Sequence, residues 1–78
     1  MFNYNKLKGR IIEILGSYSR YAEELGLSRS QISNKLEGRV QFTQKQIADT
    51  MRILNIDKTE IGLYFFNIEV VKNITEEE

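Results

Sequence analysis

Three short strings mark where this chain must begin a helix: Ser28-x-x-Gln31, Thr43-x-x-Gln46 and Asp57-x-x-Glu60. In each, a side-chain oxygen can accept from a backbone N–H in the first turn. The residue three positions on can reach back to the capping residue's own N–H. Starts at 28, 43 and 57 limit the helices between them to about three turns. Helices that short do not hold by themselves in water, so their apolar faces must pack on one another.

The apolar spacing agrees. Tyr4, Leu7, Ile11, Ile14 and Leu15 recur at helical intervals, with Lys6, Lys8, Arg10 and Glu13 between them. They predict a first helix, capped by Asn3 or Asn5 and ended by Gly16. Gly9 within it costs about 1 kcal/mol relative to Ala. A second helix opens near Ser17 or Ser19 and runs to Leu25, with Tyr21, Ala22 and Leu25 inward and Arg20, Glu23 and Glu24 outward. A third opens at Ser28, turns Ile32 and Leu36 inward and stops at Gly38; Phe42 then tucks into the core. The fourth runs from Gln44 to Leu54 with Ile47, Ala48, Met51 and Leu54 inside, and Asn55 fits its end. The fifth follows Asp57 and carries Ile61, Tyr64, Phe65 and Ile68. The chain is therefore all-α: a compact five-helix domain over 1–66 and a C-terminal tail over 67–78. The β-branched content of 67–74 allows a short strand, and the acidic tip 75–78 is expected to be disordered.

With 78 residues there is room for one small core. The chain has no Cys and no His, so it offers no disulfide, no thiol nucleophile and few metal ligands. No cofactor is expected, nor a small-molecule ligand. Ser17, Ser19, Ser28, Ser30 and Ser33 have better uses as caps or contacts than as nucleophiles, and there is no glycine-rich phosphate loop, which speaks against an enzyme. No apolar run is long enough to span a bilayer and no secretory pattern opens the chain. The expectation is a soluble, intracellular domain. Its net charge of zero is segregated. Residues 1–56 hold nine basic and five acidic side chains (+4), and 57–78 hold two and six (−4). Binding depends on the local field rather than the total.

Residues 17–38 organise the rest. They read as a helix, a turn at Gly26 and a second helix from Ser28, with Ala22 small where two helices cross and Gly26 where a positive φ is needed. Leu25, Leu27, Ile32 and Leu36 point inward. Arg29, Ser30, Ser33, Asn34 and Lys35 are left outside, all able to hydrogen-bond. Tyr18 has two uses open to it, a hydroxyl donated to phosphate or a packing aromatic with a wet tip.

Ala22, Leu25, Gly26, Leu27, Ser28, Ile32 and the Lys35-Leu36-Glu37-Gly38 ending together resemble the phage repressor and Cro family of helix-turn-helix proteins, the xenobiotic-response-element type. Phe42-Thr43-Gln44 and the helix through Ile47 and Leu54 extend the resemblance over roughly residues 7 to 66. Ile32-Ser33-Asn34-Lys35-Leu36-Glu37-Gly38 leading into Phe42-Thr43-Gln44 looks most like the small Cro-like regulators of phages and prophages in Gram-positive bacteria. Many members carry an apolar residue where Lys35 stands here.

The resemblance implies a lambda-repressor-like DNA-binding domain acting as a repressor or Cro-like switch protein. Its third helix would enter the major groove of a double-stranded operator. Arg29 and Ser30 would meet base edges, with Ser33 and Asn34 one turn later. An Arg29 fork on guanine O6 and N7 would discriminate by about 1–3 kcal/mol. Ser17, Tyr18, Gln31, Lys35 and Arg39 would hold the DNA backbone, and Arg10 would touch a phosphate or pair with Glu37. Such regulators act as homodimers on half-sites ~34 Å apart. Tyr64, Phe65, Phe66, Ile68 and Val70 are the candidate dimer surface, because three adjacent aromatics cannot all point inward from one helix. The acidic final third keeps a rival open, a helix-turn-helix module that binds protein, such as an anti-repressor or accessory subunit.

Overall fold

Three of the helices begin at a residue whose side chain caps the first turn. The computed structural model describes residues 2–67. The first helix, α1, spans Asn5–Leu15, and the Asn5 N–H donates to Asn3 Oδ1 at 2.8 Å. The next, α2, spans Tyr18–Leu25, and Ser17 Oγ accepts from the Arg20 N–H. Helix α3, Arg29–Leu36, opens with the complete Ser28–Gln31 box, and α4, Gln44–Ile53, with the complete Thr43–Gln46 box. A single 3-10 turn, Lys58–Glu60, leads into α5, Ile61–Phe65. The architecture is all-α with five helices, that of a lambda-repressor-like domain, and no strand lies among the described residues.

The core forms around α1 and α2, with α3 and α4 packed on α2 and α5 packed on α1. Leu7, Ile11, Tyr21, Ile32 and Leu54 are wholly buried. An aromatic chain ties the loop before α4 to α5, with Tyr4 edge-on to Phe42 at 5.4 Å and Phe42 edge-on to Phe65 at 5.2 Å. Such pairs contribute about 0.5–1.5 kcal/mol beyond the area they bury. Under α4, the Tyr21 and Thr50 hydroxyls lie 2.7 Å apart and satisfy one another. Asn55 closes α4 in the left-handed region at φ 55°, which its short polar side chain tolerates.

Three expectations need correction. Burial along α1 falls from Leu7 and Ile11 to half-buried Leu15 and exposed Ile14, so its last turn runs past the core. On α4, Ala48 is exposed and Thr50 takes the inner position. At about 100° per residue the two lie on opposite sides of the helix, and pairing Thr50 with Tyr21 decides which one is inside. The long fifth helix is shorter than its spacing suggested. Asp57 accepts from Thr59 through both its N–H and its hydroxyl, a tighter local arrangement that gives a 3-10 turn first. Ile68, the possible strand and the acidic tip lie outside the described residues, Asn67 excepted.

Candidate nucleic-acid interface

The turn between α2 and α3 is set by Gly26, whose φ of +73° lies where an L side chain is strained. From there its N–H reaches the Glu23 and Ala22 carbonyls, and the Leu27 N–H donates to Ala22 O at 2.9 Å. Ala22, 3% exposed, lets the helices approach. Ile32 and Leu36 anchor α3 downward, so its upper side is polar: Arg29, Ser30 and Gln31 are exposed, and Ser33 and Asn34 are half-buried. Gly38, at φ +83°, reverses the chain, and the Arg39 N–H returns to Asn34 O.

Two side-chain pairs form on this face that periodicity does not reveal. The Arg29 guanidinium lies over the Tyr18 ring, 5.2 Å from its centroid. Arg39 Nη1 donates to Asn34 Oδ1 at 3.0 Å. Tyr18 is half-buried against the core, so its ring serves as packing and as a platform at once. Ser17 and Gln31 use their oxygens in caps, which leaves a hydroxyl proton on Ser17 and the amide NH₂ of Gln31 as donors. These contacts bring Tyr18 of α2 to Arg29 at the start of α3, and Arg39 to Asn34 at its end.

Lys35 and Arg10 do not join them. Lys35 is buried at 7% exposure, donates to Gln41 O at 2.8 Å and lies over the Phe42 ring. Its stem fills the place an apolar residue would take, while its ammonium reaches a carbonyl at the edge. Arg10 turns to the end of α4, donating to Leu54 O at 3.0 and 3.2 Å and to Asn55 O at 3.4 Å. Those carbonyls have no partner within the helix and carry its negative dipole end, which attracts a cation. Glu37, the expected mate of Arg10, pairs with Lys8 at 3.6 Å instead. Arg20 is matched by Glu24 at 3.7 Å, which leaves Arg29 and Arg39 as cations of this face with no carboxylate in contact among the described residues.

On the aromatic segment of α5, Tyr64 and Phe65 are buried, and the Phe66 that follows is 51% exposed, its ring edge-on to Phe2. Leu63 beside it is also exposed. Of the expected dimer surface, Ile68 and Val70 lie outside the described residues. No group of three or more metal-binding side chains occurs among the described residues, and no described helix is long and apolar enough to cross a membrane.

A five-helix lambda-repressor-like domain with a polar helix presented on a helix-turn-helix defines the class. Within it, the chain belongs to the family described as "Protein of unknown function (DUF739)", whose model matches residues 1–68. A solved relative is the modulator of repression (MOR) of the temperate bacteriophage TP901-1 from Lactococcus lactis, in solution. It is 31% identical, with a TM-score of 0.74 over 90% of this chain and 95% of that one. The fold is thus related to that of a phage regulatory protein. No curated protein matches the chain.

Proposed function

We propose that this protein is a transcriptional regulator of phage type, a repressor or Cro-like switch, which reads an operator with α3 in the major groove and binds as a homodimer. The observation that carries the reading is the row Arg29, Ser30, Ser33 and Asn34 on the outer side of α3, a set of donors and acceptors without an apolar member. Arg29 is suited to guanine and Asn34 to adenine. Ser17, Gln31 and Arg39 flank the row and would hold phosphates, and the relative's name, a modulator of repression, fits a role in gene control.

A second reading has an observation of its own. Lys35 is buried, Arg10 is tied to α4 and Arg20 is paired with Glu24, so the face is only weakly cationic. A regulator of that kind can modulate repression by binding another regulatory protein with the same surface. One experiment separates the two: retain fragmented genomic DNA on the protein across a salt series and sequence what stays bound. Enrichment of a short palindrome, with affinity falling linearly in log salt, supports operator reading. Retention of no sequence above background transfers the role of α3 to a protein partner.

A further inference from the structure

Arg29 stands in the first turn of α3, exposed, on a side chain with several free rotations. An arginine placed that way ordinarily has to be ordered when it binds. Here the guanidinium lies 5.2 Å from the centroid of the Tyr18 ring. That ring is itself fixed, because Tyr18 is the first residue of α2, held by the Ser17 cap, and is half-buried against the core. A cation over an aromatic ring is attracted through the ring's face. The paired N–H groups that grip guanine point along the guanidinium edge. The two interactions do not compete for the same atoms.

We infer that Tyr18 is a positioning residue for Arg29, holding the guanidinium in advance over its ring so that the donor edge faces a guanine in the operator. The inference rests on the operator reading above. Ordering Arg29 before contact removes a cost that binding would otherwise carry, and it makes discrimination at one base pair depend on a side chain from a different helix. This role belongs to the ring rather than to the hydroxyl, which distinguishes it from a phosphate contact.

The test measures affinity for the recovered operator and for versions with each G·C pair replaced in turn. Arg29→Ala is expected to lose discrimination of about tenfold or more at one G·C pair per half-site. Tyr18→Leu is expected to lose several-fold of it at that same pair and nowhere else, while Tyr18→Phe keeps it. If Arg29→Ala loses discrimination and Tyr18→Leu does not, the operator reading stands and the positioning role is wrong. If Tyr18→Phe and Tyr18→Leu weaken every sequence alike, Tyr18 is a phosphate donor and the inference falls. Unchanged discrimination in Arg29→Ala removes the base-reading role and this inference together. The unmodified protein gives an answer even where Tyr18→Leu fails to fold. The Arg29 Nε–H order parameter in free protein should match that of Arg10, whose guanidinium is held by Leu54 O, and the low value of a freely rotating side chain overturns the proposal.

Discussion

At the scale of single residues, the buried hydroxyl pair of Tyr21 and Thr50 shows how one contact decides several others. Tyr21 is fully buried and its hydroxyl has Thr50 as its partner. Thr50→Val keeps the shape but leaves that hydroxyl unpaired, which should cost about 1–3 kcal/mol in urea denaturation. Burial, partly opposed by the bond to Thr50, pushes the Tyr21 phenol up to about 12. In the unfolded chain it titrates near 10, so between those values the unfolded state gives up its proton first. The stability from this group is complete below pH 10 and is lost as pH rises through 12. Urea midpoints should begin to fall between pH 8 and 10 and fall more steeply between pH 10 and 11. Lys35 supplies a third check. Lys35→Met should cost less than about 1.5 kcal/mol and leave the salt slope of DNA binding unchanged, whereas Arg39→Gln should lower that slope by about one. Neither the inward roll of Thr50 nor the burial of Lys35 is legible in apolar spacing, because a Thr and a Lys count as polar there. The apolar residue that many members of the resembled repressor and Cro family carry at the Lys35 position is the signal that could have shown its burial.

At the scale of elements, the starts of α3 and α4 were legible because caps are local chemistry. Ser28 with Gln31 and Thr43 with Gln46 need no distant partner, and both boxes close as read. Helix α3 depends on its box more than a long helix would, having only eight residues. Ser28→Ala should cost about 1 kcal/mol, read as a drop in thermal midpoint. Gly26→Ala meets no neighbour within 4 Å yet should cost about 1–2 kcal/mol, because the left-handed backbone itself is strained for alanine. The contacts that spacing missed span long stretches of chain: Arg10 to Leu54 crosses 44 positions and Tyr21 to Thr50 crosses 29. The shortness of α5 was missed for the opposite reason. Thr59 offered Asp57 a closer partner than the expected box did.

Over the whole molecule, the aromatic run Tyr64-Phe65-Phe66 divides as geometry requires, two rings inward and one outward. If Phe66 and Leu63 form part of a homodimer surface, Phe66→Asp should shift the mass toward monomer in light scattering. An unchanged mass places the interface elsewhere. Such a variant should leave α3 folded, since Phe66 lies on the aromatic segment and contributes nothing to the reading face.

The first and last helices close the molecule together. Asn3 N–H donates to Asn67 O at 2.6 Å, Phe2 meets Phe66, and α1 packs on α5. As the chain folds, α1 can meet α2 across one short turn, but its contact with α5 waits for a loop of roughly fifty residues to close. Bringing α1 to α5 therefore carries a loop-closure cost that pairing α1 with α2 does not, and Phe2 should gain its packing on Phe66 only after the helix-turn-helix has formed.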